Sequence, residues 1–311
     1  MIYTVTLNPA RDRTVIIPGF AAGKVNRVAS FRDDPGGKGI NVSKVVKSLG
    51  GNTVAMGILG GATGRYIKKS LDDMEIENRF VFTRAETRTN IKVYDSVSAE
   101  TTDINEAGHP VSARVMSNVF ARIDECVKEG DVVVFAGKIP TGAKSDTVAE
   151  WVRKLNQKGV KTVLDADSKT LYEGVKAGPY MIKPNETELG QLLGRKLDTL
   201  EEIYEGAKQV IDEHGVRLVA VSLGADGALF VTANGAYRAE GLKITVMSTV
   251  GAGDAMTAAL SYGMDTGMGE KEAYALSIAS SAACVMKQGT QSASLDEIKA
   301  LYEQVKIEKY A

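Results

Sequence analysis

The chain has 311 residues, and its 38 basic and 39 acidic side chains nearly cancel, to a net charge of -1. The near-zero net charge excludes a general attraction to nucleic acid or anionic membranes. Hydrophobic residues make up 44% and charged residues 25%, which is typical of a globular protein. Cys126 and Cys284 form no CxxC pair and no apolar run is long enough to cross a bilayer, so we expect a cytoplasmic protein.

Short β-rich runs alternate with amphipathic stretches along the chain. In order, the predicted strands cover 2–7, 53–59, 132–135, 161–164, 180–182, 218–221 and 228–231. Apolar residues at three-to-four spacing predict helices at 42–49, 115–127, 148–155 and 295–305. This alternation predicts an α/β fold with a parallel sheet that helices cover on both faces.

Two stretches, residues 11 to 34 and 88 to 105 in round terms, break this rhythm. Both show strand-like alternation without helices between the runs. We expect antiparallel strands that stand off the main sheet. Such an appendage often serves as a lid over a ligand.

Two glycine clusters precede predicted helices. GGKGIN at 36–41 leads into the helix at 42–49, and STVGAGD at 248–254 leads into a run of small residues. Each cluster fits either a tight turn or an anion site, in which glycines let a phosphate approach the unpaired amides of a helix N-terminus. Asp254 fits either a helix cap or a base that accepts a proton from an attacking hydroxyl.

The sequence KPNETEL at 183–189 follows the predicted strand 180–182. Asn185 and Glu188 have the spacing of a helix capping box. At the carboxyl end of a parallel strand, the same two side chains would also be placed to hold magnesium. The residues alone leave both interpretations open.

Several other classes of site are disfavoured. The chain contains no GxxxxGK[ST] phosphate loop, and no GxGxxG follows its first strand, which argues against a dinucleotide enzyme. Its only histidines are His109 and His214, so a His-rich metal site or a His-based triad is nearly excluded.

Taken together, GGKGIN, KPNETEL, SLGADGAL at 222–229 and STVGAGDAM at 248–256 resemble the signatures of the ribokinase-like PfkB carbohydrate kinases. The resemblance covers nearly the whole chain. It implies a single domain over 1–311, built as an α/β/α sandwich with a small β-lid that often pairs with a second subunit. It also implies ATP and Mg²⁺, with a monovalent cation such as K⁺ as a further candidate.

The resemblance implies roles for matching positions on the acceptor side. Asp254 would be the general base, and the amides of Gly251, Ala252, Gly253 and Asp254 would form the anion hole. The residues implied to contact the sugar are Asp12, Gly37, Lys38 and Asn41. Its existing phosphate would be gripped by Arg27 and Arg88, whose planar guanidinium groups suit phosphate oxygens.

On the nucleotide side, the resemblance implies a second set of residues. Those expected to line the ATP site are Lys183, Asn185, Ser222, Gly224 and Thr249. Magnesium would be held through Glu188 and Asn185.

TLNPARD at 6–12, VNRV at 25–28, ETRTNIKV at 86–93 and INEAG at 104–108 look most like the 1-phosphofructokinase and tagatose-6-phosphate kinase branch. STVGAGD at 248–254 is nearer to the usual wording of 1-phosphofructokinases than to the PVGSGD of tagatose-6-phosphate kinases. We therefore expect phosphorylation of fructose 1-phosphate to fructose 1,6-bisphosphate. The alternatives are the same chemistry on tagatose 6-phosphate or fructose 6-phosphate, and a sugar-phosphate sensor without catalysis.

Three positions depart from the family pattern. Arg11 stands where an aliphatic residue is usual, Lys138 replaces a usual Ser, and Asp167 also replaces a Ser. Lys138 could add a cationic contact to a phosphate, which bears on the choice of sugar. Asp167 has no functional account from the sequence.

Overall fold

The computed structural model describes residues 1–287 and 289–311. Within them lie fourteen strands and ten helices. The strands are β1 (Ile2–Thr6), β2 (Ala10–Ile16), β3 (Ser30–Gly36), β4 (Thr53–Gly60), β5 (Glu77–Thr83), β6 (Arg88–Tyr94), β7 (Thr101–Asn105), β8 (Val132–Gly137), β9 (Lys161–Ala166), β10 (Met181–Ile182), β11 (Leu218–Ser222), β12 (Ala228–Thr232), β13 (Gly235–Ala239) and β14 (Ile307–Lys309). The helices are α1 (Lys38–Ser48), α2 (Gly61–Asp73), α3 (Ala113–Cys126), α4 (Thr147–Gln157), α5 (Ser168–Val175), α6 (Glu186–Leu193), α7 (Leu200–His214), α8 (Ala252–Thr266), α9 (Glu270–Val285) and α10 (Leu295–Tyr302).

Ten strands form the main sheet, in the order β14-β13-β12-β11-β10-β9-β8-β1-β4-β5. The seven strands from β11 to β5 run parallel, which confirms the expected α/β fold with a mainly parallel sheet. The edge from β11 to β14 is antiparallel, and the sequence patterns did not predict which strands run in this direction. The link between β11 and β12 is a single tight turn at Gly224–Asp226, which is too short for the crossover that parallel strands need.

Helices cover both faces of the main sheet. Alternate residues of a strand point to opposite faces, so Tyr3 packs in the cluster under α3, α4 and α7, whereas Ile2 packs in the cluster under α1, α8 and α9. Both faces of β1, β4 and β8 are buried in this way, which explains why β4 and β8 consist mainly of apolar residues. None of the helices in the described ranges has the length and apolar character that a membrane span requires.

A second sheet has the order β3-β2-β6-β7 and comes from the two stretches that lack helices. Its outer pairs are antiparallel as expected, but the central pair β2–β6 is parallel, so the expectation of antiparallel strands throughout was wrong. In its register Asp12 lies opposite Asp34 and Asn90, so these polar residues share one face. Val15 lies opposite Phe31 and Val93, which share the other face. The sheet is therefore polar on one side, whereas the other side, called the apolar face below, carries an apolar cluster beside the Arg13–Asp33 ion pair.

The polar face of the second sheet looks toward the main body of the protein. A cavity of about 220 Å³ lies between them and is lined by Asp12, Asp34 and Asn90 from the sheet. Val250, just before α8, and Thr290, beyond α9, line the opposite wall.

Candidate active site

Helix α8 begins with a glycine-rich turn. Gly251 precedes the helix with a φ of 87°, in the left-handed region that glycine adopts without strain. Asp254 is the third residue of the helix and is only 6% exposed. Because the first amides of a helix have no intrahelical partner and carry partial positive charge, this turn presents N–H donors beside a buried carboxylate.

The carboxylate of Asp254 is held by α1. Nδ2 of Asn41 donates a hydrogen bond to Oδ2 of Asp254 over 2.8 Å. Burial, helped by the nearby charge of Asp165, raises the pKa of Asp254 to about 6, against the opposing effects of Lys38, Asn41 and Lys183. A carboxylate with this pKa is ionised at neutral pH and is a stronger base than an exposed aspartate.

A buried carboxylate, Asp165 at the end of β9, binds two lysines. Lys38 Nζ donates to its Oδ1 over 2.9 Å, and Lys183 Nζ lies 3.6 Å from its Oδ2. Thr257 on α8 donates its hydroxyl to the same Oδ2 over 2.9 Å. Burial would raise the pKa of Asp165, but the charges of Lys183 and Lys38 outweigh it and keep that pKa below its usual value. The ionised carboxylate thus fixes two ammonium groups beside Asp254.

Lys183 follows β10 and reaches the first turn of α8. A Cβ atom placed on Gly253 would lie 3.0 Å from Lys183 Nζ, so a side chain at residue 253 would crowd the lysine. The absence of that side chain lets a buried cation approach the amides of the helix start. An anion placed there would meet both kinds of positive group at once.

On the acceptor side, Asp12 of β2 lies against the backbone of β3. A Cβ atom on Gly36 would come within 2.0 Å of Asp12 Oδ2, so glycine makes room for the carboxylate. Asn90 Nδ2 donates to Oδ1 of Asp12 over 2.9 Å. Burial raises the pKa of Asp12, and Asn90 and the charge of Lys44 oppose that rise.

Gly37 brings α1 close to β1. It precedes α1 with a φ of 123°, and a Cβ atom there would lie 2.7 Å from Thr6 Cγ2. The GGKGIN segment therefore solves a tight packing problem and also delivers Lys38 and Asn41 to the site. The structure thus supports the tight-turn interpretation of this cluster, and the anion site stays a prediction.

The basic residues expected around the sugar phosphate are spread out. Arg88 at the start of β6 donates to the carbonyl oxygens of Asn8 and Glu106 and is half-buried. Lys138 is exposed just after β8. Arg27 is exposed in the loop between β2 and β3, beyond the Ile16–Ser30 pair. Four strand residues, about 13 Å, separate that end of β2 from Asp12, so Arg27 lies apart from the other candidates within one chain.

On the nucleotide side, two strand ends lie together. Asn185 forms a parallel bridge with Ser222, and the Ser222 amide donates to the carbonyl of Pro184 over 3.0 Å. Gly224 follows with a φ of 60°. Thr249 is exposed in the irregular segment that leads to α8. Lys183, Asn185, Ser222 and Gly224 are thus neighbours at the carboxyl ends of β10 and β11, where ligands of open α/β sheets bind.

Asn185 and Glu188 form a complete capping box at the start of α6. Glu188 accepts from the Asn185 amide through Oε2 over 2.9 Å, and Asn185 accepts from the Glu188 amide over 2.8 Å. The charge of Glu188 also acts on Lys38, which places it near the lysine cluster. The described residues contain no group of three or more His, Cys, Asp or Glu side chains that could hold a metal. Glu188 uses Oε2 in the capping box, which leaves its second carboxylate oxygen. A single carboxylate fits Mg²⁺, because this cation usually retains waters and phosphate oxygens as its other ligands.

The comparisons decide the family. Residues 5–298 match the profile of the pfkB family carbohydrate kinases. The chain belongs to this family. The 1-phosphofructokinase of Haemophilus influenzae is 35% identical over 308 residues, which are 98% of this chain and 97% of that protein. Both the expected family and the expectation of a carbohydrate kinase are confirmed.

Solved structures agree with this assignment. Phosphofructokinase-2 from Escherichia coli, in complex with substrates and products, superposes with a TM-score of 0.93 at 27% identity, covering 97% of this chain and 98% of that one. The same enzyme has also been solved with potassium. Ribokinase from Thermotoga maritima, at 19% identity, shares the fold with a TM-score of 0.79 over 97% of this chain and 99% of its own.

In this pfkB family kinase, the sequence analysis missed several residues of the site. Asp165 pairs with lysines that are 127 and 18 positions away, so no local motif marks it. Its place at the end of a predicted parallel strand was the available signal. Asn90 and Lys44 were also missed, because their polar neighbours come from other elements. Asp167 has a structural role, since it caps α5 by accepting from the Thr170 amide.

Proposed function

We propose that this pfkB family kinase transfers the γ-phosphoryl group of ATP to the C6 hydroxyl of fructose 1-phosphate. The products are fructose 1,6-bisphosphate and ADP. The observation that carries the proposal is the buried carboxylate of Asp254 at the N-terminus of α8, next to the Lys38–Asp165–Lys183 cluster. Full-length similarity to a protein named 1-phosphofructokinase supports the choice of sugar.

In the proposed reaction, Asp254 accepts the proton of the C6 hydroxyl as its oxygen bonds to the γ-phosphorus. The bond between that phosphorus and the β,γ-bridging oxygen breaks, and ADP leaves with the electron pair. General-base assistance of this kind contributes roughly 10²–10⁴-fold in rate. The raised pKa of Asp254 suits this role, because the proton must be taken up at neutral pH.

Positive groups at the helix start would stabilise charge on the transferring phosphoryl group. The amides of Gly251 to Asp254 and the ammonium of Lys183 converge there, and Lys183 is buried. Preorganised donors in a site that excludes water are among the largest catalytic terms. Asp165 would keep Lys38 and Lys183 in place before ATP arrives.

We propose that the sugar lies under the polar face of the second sheet. Asp12 would accept hydrogen bonds from sugar hydroxyls, with Asn90 fixing its carboxylate. Arg88 and Lys138 would approach the 1-phosphate. Because Arg27 lies apart from these residues within one chain, its proposed contact with the phosphate requires the lid of a second chain.

Glu188 is the proposed protein contact for Mg²⁺, with Asn185 beside it. The bound cation would neutralise phosphate charge as ATP reacts. A monovalent cation such as K⁺ is a further proposed activator. The irregular segment 242–251 before α8 would offer backbone carbonyls of the kind that such hard cations bind.

We also propose a homodimer formed through the lid and a cytoplasmic location. The apolar face of the second sheet leaves Phe31 63% exposed and Ile104 52% exposed, beside the buried Val15 and Val93. Exposed apolar patches of this kind mark interaction surfaces. A second copy of the same sheet would cover it with matching chemistry.

The deciding experiment is an ADP-release assay on fructose 1-phosphate, fructose 6-phosphate and tagatose 6-phosphate. We expect kcat/KM to favour fructose 1-phosphate by tenfold or more, which is about 1.4 kcal/mol of transition-state stabilisation. A tenfold or greater preference for either 6-phosphate would show that this sugar, and not fructose 1-phosphate, is the substrate.

The Asp254→Asn variant tests the mechanism in the same assay. We expect turnover to fall by at least two orders of magnitude while ATP binding, measured by calorimetry, is retained. Turnover close to that of the wild type would remove Asp254 from the reaction. Binding of sugar phosphate by the wild type without any ADP release would favour the sensor over the kinase.

A further inference from the structure

Lys44 lies on α1, one turn beyond Asn41, and is only 6% exposed. Its ammonium donates to Oδ1 of Asn41 over 3.2 Å and to the backbone carbonyl of Thr290 over 3.4 Å. Both acceptors are neutral oxygens. A buried ammonium with neutral partners is costly, and burial accordingly lowers the pKa of Lys44. The presence of a buried lysine at this position therefore needs a physical explanation.

The contact with Asn41 supplies that reason. An ammonium group can only donate hydrogen bonds, so it requires the carbonyl oxygen of the Asn41 amide to face it. The amide nitrogen then points the other way, where it donates to Oδ2 of Asp254 over 2.8 Å. A continuous chain of two hydrogen bonds therefore runs from Lys44 through Asn41 to Asp254.

Charged groups surround Lys44 on several sides. The carboxylates of Asp34 and Asp12 face it from the second sheet, and that of Asp254 faces it from α8. The Cys284 thiol of α9 is its fourth titratable neighbour. The charges of Asp12 and Asp254, the two carboxylates that the sugar would meet, thus both act on Lys44.

We propose that Lys44 is a positioning residue that holds the Asn41 amide in the orientation the base needs. With one oxygen of Asp254 bound by Asn41, the other is left for the attacking hydroxyl. The link to Thr290 extends the same restraint to the segment beyond α9, which lines the cavity under the second sheet. This inference rests on the proposed role of Asp254.

A double-mutant cycle in kcat tests it, with Lys44→Met, Asn41→Ala and the double variant. Methionine keeps the buried stem but cannot donate to Oδ1. We expect each single variant to lower kcat by about tenfold or more, with KM for ATP changed less than twofold. We expect the double variant to be no slower than Asn41→Ala alone, because Lys44 acts through Asn41. A residue that only supports packing of α1 would give additive losses.

The matched control is Lys47→Met, on the exposed side of the same helix, where Lys47 pairs with Glu75. Its kcat should equal that of the wild type. If Lys44→Met does not fold by circular dichroism, Lys44→Leu, which also cannot donate a hydrogen bond, enters the cycle in its place under the same criterion. Additive effects, or a kcat within twofold of the wild type for the folded variant, would overturn the inference. Neither result would touch the proposed function, which the substrate panel and Asp254→Asn test separately.

Discussion

Lys38 and Asp165 meet in a 2.9 Å hydrogen bond that joins the first turn of α1 to the end of β9. The carboxylate is 2% exposed and also faces the buried Lys183. Its charge therefore serves two cations from different elements. This single side chain connects the proposed acceptor and nucleotide halves of the site.

Asp165→Asn should strongly destabilise the protein, because it leaves Lys183 buried without its counter-charge. We expect a loss of about 3 kcal/mol in the free energy of unfolding, measured by urea denaturation. The matched control is Asp167→Ala, two residues away, which removes only the cap of α5 and should cost about 1 kcal/mol. Equal losses in the two variants would contradict the assigned importance of the buried cluster.

The pH dependence of catalysis should report Asp254. The pKa of its carboxyl is raised to about 6, and only the ionised form can accept a proton, so kcat/KM should fall as the pH drops through about 6. Asn41→Ala removes a hydrogen bond that lowers this pKa, and the acid limb should move to higher pH. The phosphates of ATP and of the sugar also ionise, but in the same way for the wild type and for Asn41→Ala. If the acid limb did not move in this variant, it would therefore report ionisation of the substrates and not of Asp254.

Glu188→Gln separates the metal role from the capping role. Glutamine still completes a capping box, so the melting temperature should change little. Loss of the carboxylate charge should raise the Mg²⁺ concentration for half-maximal activity by about tenfold. The control is Glu202→Gln, in the equivalent capping box of α7, which should leave the Mg²⁺ requirement unchanged. An unchanged requirement in both variants would remove Glu188 from the metal site.

The proposed dimer should depend on the apolar face of the second sheet. Phe31→Glu places a charge on that face and should convert the dimer to a monomer, as measured by light scattering at micromolar concentration. Phe82→Glu is the control, because Phe82 is also exposed but lies on β5 of the main sheet. A wild-type protein that is already monomeric would contradict the proposal.

Local patterns gave most of the fold and part of the site. The capping sequence at Asn185 and Glu188 was read correctly because both contacts lie within one helical turn. Gly37 and Gly253 were recognised as parts of glycine-rich turns before helices, but their close approach to Thr6 and Lys183 involves distant residues and was not predicted. Asp165 was not recognised as a site residue, because its contacts with Lys38 and Lys183 depend on how distant strands and helices pack together.

The antiparallel edge of the main sheet could not be predicted from the sequence for a related reason. A strand pattern fixes which residues face inward, but it does not fix the direction in which the next strand returns. That direction follows from the short turn at Gly224–Asp226, where no helix intervenes. The same limit applied to Lys44, whose lysine side chain reads as solvated until α1 is packed against its neighbours.

The two-faced second sheet has a consequence for how the protein can change. Asp12 and Val15 lie on one strand, three positions apart, and point to opposite sides. Inserting or deleting one residue between them would keep one on its present side and reverse the other. The proposed sugar contact and the proposed subunit contact therefore depend on the same short strand, and a change in its length would disrupt one of them.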